Sequence, residues 1–207
     1  ESLAGLYLDQ SERQTDDLEN YLKLRRKCAA IFETELKRPE AALLVLTSAL
    51  GSDVLGSSEV LDDLERLGKA TSDWESIFEA IGPVLNQLQD DERSHPLLVR
   101  LGRWCLHFAG DEAQGVRLLE RALERQPNDL AAIALLEEHC RRRSDFGALA
   151  EILRFRADAG GDPSDRAAAW LDIAALAEGP LDDALLATEA LENAFALAPD
   201  AAGFSRL

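Results

Sequence analysis

Three stretches of this sequence repeat one another: Glu40–Leu50 (EAALLVLTSAL), Ala113–Leu123 (AQGVRLLERAL) and Leu185–Phe195 (LLATEALENAF). Each sets a small residue, a large aliphatic one four later and an alanine three further on. The triplets are Ala42/Leu46/Ala49, Gly115/Leu119/Ala122 and Ala187/Leu191/Ala194, spaced 73 and 72 residues apart. A second series lies between them. Ser72-Asp73-Trp74 and Ser144-Asp145-Phe146 stand 72 residues apart, and each opens a segment of helical period, with Ile77/Ile81/Val84 and Leu149/Leu153/Arg156. The underlying repeat is therefore shorter than 72. Equivalent points at Ala42, Ile77, Gly115, Leu149 and Ala187 are separated by 35, 38, 34 and 38 residues. Self-similarity at such a period means supersecondary units that stack on their neighbours.

The pattern within each repeat is helical. Period-2 alternation is never sustained and β-branched residues are few, which argues against strands. Pro39, Pro127, Pro163, Pro180 and Pro199 fall at the joints, where a missing N–H costs little. Ser58, Ser72, Asp111, Asn128 and Ser144 are the expected N-caps. Pro83 is the exception: beside Gly82 and inside an apolar segment, it predicts a kink. A helix pair cannot bury its apolar stripe alone, whereas stacked pairs bury a continuous core. Apolar residues make up 46% of the chain, enough for such a core. The small residues of the three triplets would let helices approach closely, and Trp74, Trp104 and Trp170 fall at periodic apolar positions expected in the core.

Two amphipathic helices per 34 to 38 residues resemble the tetratricopeptide repeat. The residues that carry the resemblance best are Leu101-Gly102, Gly115, Leu119, Ala122 and Pro127, then Ile173-Ala174, Ala187, Leu191, Ala194 and Pro199. The motif is degenerate. Aliphatics often replace the usual aromatics, the Trp74 and Phe146 repeats match less well, and three repeats are expected to carry an extra residue in the loop between their two helices. HEAT-like helical pairs are the alternative. The resemblance implies an all-α fold, a right-handed superhelical solenoid of antiparallel helix pairs. One array would span 1–207, with repeats at roughly 1–16 (partial), 17–55, 56–91, 92–127, 128–160 and 161–200. The opening ESLAGLYL aligns with Glu75-Ser76-Ile77, and Met is absent throughout. A fragment of a longer polypeptide, starting inside a second helix, is expected.

Little in the chain suggests catalysis. His95, His107 and His139 form no i, i+4 pair and no HExxH. His139 is expected at a helix–helix contact. Cys28, Cys105 and Cys140 fall on first helices, have no CxxC partner and are expected to be buried and inert. Gly160-Gly161 lies in an acidic turn without a following Lys, so it reads as an inter-helix loop. The doublets Asp16-Asp17, Asp62-Asp63, Asp90-Asp91 and Asp182-Asp183 read as helix-dipole complements and solvated faces. No catalytic residue, cofactor or metal is expected, and the segment is expected not to be an enzyme.

Charge narrows the partners. With 22 basic against 39 acidic residues the net charge is −17, which argues against nucleic acid, since phosphate binding needs a basic face. The longest apolar runs, such as Ala41–Leu46, are too short to span a bilayer. No secretory leader opens the chain, and three cysteines suit a reducing compartment, so a cytoplasmic location is expected. Two basic clusters stand out, Lys23/Arg25/Arg26/Lys27 and Arg141/Arg142/Arg143, against an acidic stretch 158–200 of net charge −9. These suit either solvated helix ends or a clamp for an acidic segment. In tetratricopeptide-like arrays the first helices line the concave side and carry ligand contacts. Projected here, those positions are Lys23, Arg26, Arg66, Lys69, Arg103, His107, Glu138, Arg141 and Arg142. The four Asn (Asn20, Asn86, Asn128, Asn193) miss the positions that some family members use to grip a C-terminal carboxylate. The expected function is a non-enzymatic protein–protein interaction scaffold, holding a peptide or protein in its groove. The alternatives are a structural spacer or oligomerisation segment of a large repeat protein, or a regulatory arm of a multidomain one. Self-association is expected to run through Leu3, Leu6 and Tyr7, which carry no polar capping face.

Overall fold

The computed structural model describes residues 3–13, 17–51, 58–88, 92, 94–159 and 161–198. Asp16, Asp90, Asp91, Gly160 and Pro199, singled out above, lie outside the described residues. The described residues form eleven α-helices and no strand. They are α1 (Leu3–Glu12), α2 (Leu18–Thr34), α3 (Pro39–Thr47), α4 (Ser58–Thr71), α5 (Trp74–Gln87), α6 (Ser94–Trp104), α7 (Glu112–Arg125), α8 (Leu130–Arg143), α9 (Phe146–Asp158), α10 (Pro163–Glu178) and α11 (Ala184–Leu197). A π turn, Cys105–Ala109, continues α6. The chain divides into two compact units, Glu1–Arg100 with His107–Asp111, and Leu101–Leu106 with Glu112–Leu207. In both, helices pack chiefly against their sequence neighbours.

The joint between the two helices of each repeat has one recurring geometry. Lys37, Ser72, Gly110, Ser144 and Asp182 all have φ between 50° and 74°, the left-handed region. They are separated by 35, 38, 34 and 38 residues, the same steps as the sequence repeat. Each stands five residues before its equivalent point Ala42, Ile77, Gly115, Leu149 or Ala187, and all five of those are buried. One left-handed residue in each joint turns the chain into the second helix, directly after the first helix at Ser72 and Ser144 and three or four residues after it at Lys37 and Asp182. The register from this turn to the buried position never varies, whereas the loop before it does: the α2–α3 joint spans 35–38 and the α10–α11 joint 179–183, against two residues at 72–73 and 144–145. The 38-residue step from Ser72 to Gly110 contains the π turn, whose i→i+5 pattern takes up more chain than an α turn, and the 38-residue step from Ser144 to Asp182 contains the long α10–α11 joint.

Capping explains why the turns at Ser72, Ser144 and Asp182 are each followed by Asp. The side chains of Asp17, Asp73, Asp129, Asp145, Asp162 and Asp183 each accept from a backbone N–H in the first turn of α2, α5, α8, α9, α10 and α11. Three expected caps are thereby corrected by one residue, from Ser72, Asn128 and Ser144 to Asp73, Asp129 and Asp145. A carboxylate accepts the amide bonds and also places a negative charge at the positive helix end. Ser72 and Ser144 are left to supply the left-handed turn. Ser58 is the first residue of α4 rather than a flanking cap. Pro83 lies inside an α5 that stays helical for 14 residues. Gly82 before it has no Cβ to meet the proline ring.

The first unit buries Leu46, Leu64, Leu67, Ile77 and Ile81 almost completely. The second buries Leu153, Ala157, Ala169, Ile173 and Ala190 in one cluster with Trp170. Trp74, Trp104 and Trp170 are 6%, 0% and 9% exposed, so packing accounts for them. Close approach is most evident at Gly102 and Gly115 in the second unit. A Cβ on Gly102 would lie 2.6 Å from Leu119 Cγ and 3.2 Å from the Gly115 carbonyl oxygen.

Candidate partner-binding surfaces

The nine projected contact residues divide between the two units. Lys23, Arg26, Arg66, Lys69 and His107 belong to the first, and Arg103, Glu138, Arg141 and Arg142 to the second.

In the first unit the arginines tie first helices to one another. Arg26 on α2 pairs with Glu59 and, at 2.6 Å, with Asp63, both on α4. Arg66 on α4 pairs with Glu33 on α2 and, at 2.9 Å, with the same Asp63. Burial disfavours both guanidinium charges, but Asp63, Glu59 and Glu33 outweigh it and push both pKa values above the ordinary range. Arg100 extends the pattern from α6 by pairing with Asp62 on α4. Sequence reading missed this residue, although it lies three before the projected Arg103. These side chains hold neighbouring helices together, so much of their donor capacity is spent. Lys23 is exposed.

Lys69 and His107 are brought together by the π turn. Lys69 Nζ lies 4.2 Å above the ring of Phe108 and 2.8 Å from Glu65. Phe108 stacks on Trp74 with centroids 5.5 Å apart, and the His107 ring is tilted against it at 6.0 Å. Phe108 is 39% exposed despite these contacts. It was not anticipated, because a π turn shifts the residues after it off the 3.6-residue period.

In the second unit the triple-arginine cluster is also partly spent. Arg143 pairs with Glu112 at 2.7 Å, and Arg141 with Glu137 at 2.9 Å. Glu137 is 5% exposed and is approached by Arg156 at 3.7 Å from its other oxygen. Arg142 and Glu138 are exposed, and Arg103 is half-buried. Beside Glu137 opens a cleft of about 280 Å³. The first helices α8 and α10 line it, with Arg156 from the last turn of α9 and Gly161 from the connecting loop. Leu130, Ile133 and Ala134 form its apolar side, while Asp162, Asp165 and Arg166 complete the polar side. Arg166 is anchored by Nε, which donates to the Ala157 carbonyl at 2.6 Å.

The cysteines have the environments of buried thiols. Burial pushes the pKa of Cys28 up, and burial followed by the nearby Asp145 carboxylate does so for Cys140. His139 is buried, and its Nδ1 has no hydrogen-bond partner. Among the described residues no group of three or more His, Cys, Asp or Glu is placed to hold a metal, and no helix is long and apolar enough to cross a membrane. No family model matches the sequence, and no curated protein matches it.

Proposed function

We propose that this chain is a non-enzymatic protein–protein interaction scaffold. In this reading it is a tetratricopeptide-like array, a right-handed superhelical solenoid of antiparallel helix pairs that receives a peptide or protein segment on its first helices. The recurring left-handed turn supports the array, since it returns at the sequence period in all five repeats. The observation that carries the binding role is the α8–α10 cleft. At about 280 Å³ it is at the small end of ligand sites, which run from about 300 to 1,000 Å³. That is room for one or two side chains of a peptide rather than a nucleotide-sized cofactor.

Selection from a displayed random-peptide library tests the proposal, with the Ala134→Glu variant as counter-screen. Ala134 is exposed on α8, so the added side chain fills the cleft without disturbing the core. Peptides that bind the protein and lose about tenfold or more on the variant are expected, a difference of about 1.4 kcal/mol. A library that yields no such peptide would overturn the reading.

A second reading is favoured by one specific observation. Arg26, Arg66 and Arg100 each pair with a carboxylate on a neighbouring first helix. A spacer that contacts only its own repeats, or a second copy of itself, would use its charges this way. Light scattering across a salt series separates the two readings, since a concentration-dependent dimer supports the spacer.

A further inference from the structure

Three carboxylates, Glu137, Asp162 and Asp165, and two guanidinium groups, Arg156 and Arg166, line the α8–α10 cleft, and they differ in how their hydrogen-bonding atoms are used. The Glu137 carboxylate is engaged on one oxygen by Arg141 and approached on the other by Arg156. The Asp162 carboxylate caps α10 by accepting from Ser164 N at 2.9 Å. Asp165 is exposed and solvated, and solvated carboxylates interact weakly. The arginines differ. Each guanidinium carries five N–H donors in a rigid fork. Arg166 spends one on the Ala157 carbonyl, and Arg156 leans on a buried carboxylate that Arg141 already neutralises. The bond to Ala157 holds Arg166 in place, charge attraction to Glu137 draws Arg156 to the cleft, and most of the donors of both stay available. A pair of forks beside an apolar wall suits a carboxylate followed by an aliphatic group.

We propose that the cleft binds a short acidic–aliphatic peptide segment, with a Glu or Asp side chain between Arg156 and Arg166 and an aliphatic side chain on Leu130 and Ala134. The inference rests on the scaffold reading and names the ligand class of its site. The surroundings limit the acid to one or two residues. Positions 158–200 carry net charge −9, so a longer acidic run would meet repulsion outside the cleft. The site also differs from the projected groove: none of Arg156, Arg166, Leu130 and Ala134 was among the nine first-helix positions.

Fluorescence anisotropy with two end-blocked, fluorescein-labelled peptides tests the assignment, one carrying Leu-Glu-Glu-Leu and the other Leu-Lys-Lys-Leu. The glutamate peptide is expected to bind, and the lysine peptide to bind at least about tenfold more weakly. Arg166→Gln and Ala134→Glu are each expected to weaken the glutamate peptide by about tenfold or more. Circular dichroism melts show whether each variant folds. Should Arg166→Gln fail to fold, Ala134→Glu decides alone, because it leaves both arginines and their anchors in place. Preference for the lysine peptide, no binding of the glutamate peptide, or binding unmoved by a folded variant would overturn the assignment. If library peptides of other composition remain sensitive to Ala134→Glu, the scaffold reading stands and only the ligand class falls. If none does, both fall.

Discussion

Replacing Gly102 with Ala sets two known effects against each other at one atom. Both helices of the contact are ordinary α-helix, so backbone strain plays no part. In an open helix position the change stabilises, by roughly 1 kcal/mol or less, because Ala orders at lower entropic cost. At Gly102 the new Cβ would lie 2.6 Å from Leu119 Cγ, 2.8 Å from Cδ2 and 3.2 Å from the Gly115 carbonyl oxygen. Ordinary contact needs about 3.5–4.0 Å, so something must move by about 1 Å. Leu119 is 0% exposed and has no solvent to move into, and the Gly115 oxygen is backbone. Overpacking of a filled core costs about 1–3 kcal/mol. The difference, about 0–2 kcal/mol, is expected in its upper half because the nearest clash is severe. For a chain of this size that lowers Tm by roughly 2–8 °C. Gly147→Ala is the matched control. Its Cβ would meet only Asp145 Oδ1 at 3.9 Å, so the propensity gain is unopposed and Tm should rise or hold. Thermal melts by circular dichroism read both. A Gly102→Ala protein that melts at or above the parent temperature would refute the close approach of α6 and α7.

Three further outcomes are expected. Asp129→Ala removes a carboxylate that accepts from both Ala131 N and Ala132 N, costing about 0.5–2 kcal/mol, while Asn128→Ala should cost almost nothing. Urea midpoints distinguish them, and equal losses would contradict the one-residue correction. Asp63→Asn loosens a carboxylate shared by Arg26 and Arg66, at about 0.5–1 kcal/mol. The loss should shrink from low to high salt, because screening already weakens the parent's pairs. Cys28, Cys105 and Cys140 are buried, and the raised pKa values of Cys28 and Cys140 keep those two thiols neutral in the fold. Thiol titration with an aromatic disulfide at pH 8 should be slow until denaturant is added, and stability should fall as pH rises above the ordinary thiol value of 9.0.

The repeat was legible because it is written in buried residues. Ala42, Ile77, Gly115, Leu149 and Ala187 mark one structural position, and burial restricts what can stand there. The cap positions were legible only to within one residue. Ser and Asp are both good caps, so Ser72-Asp73 offers two candidates, and only the left-handed φ at Ser72 decides between them. The π turn at Cys105–Ala109 was not legible, since a local change of helical winding leaves no composition signal. The projected groove residues fall on α2, α4, α6 and its π turn, and α8, but residue type could not show that Arg26 and Arg66 have carboxylates of a neighbouring helix within reach. The cleft was missed for a related reason. Arg156 and Arg166 are ten residues apart, and the loop that brings them beside Glu137 was read only as a connection.

The same accounting decides what an arginine does in this protein. A net charge of −17 means carboxylates outnumber cations, so a guanidinium on a helix face meets an acidic neighbour by default. Where two carboxylates of another helix engage it, as Glu59 and Asp63 do Arg26, the pairs tie the two helices together and little is left for a ligand. Where the neighbour is a backbone carbonyl, as Ala157 is for Arg166, the arginine is positioned without being neutralised. An arginine held by a neutral anchor keeps its full charge for a partner. That distinction separates Arg166 from Arg26, Arg66 and Arg100, which look alike in the sequence. It also sets the order in which substitutions should act. Removing Arg26 should change stability before it changes binding, and removing Arg166 should change binding first.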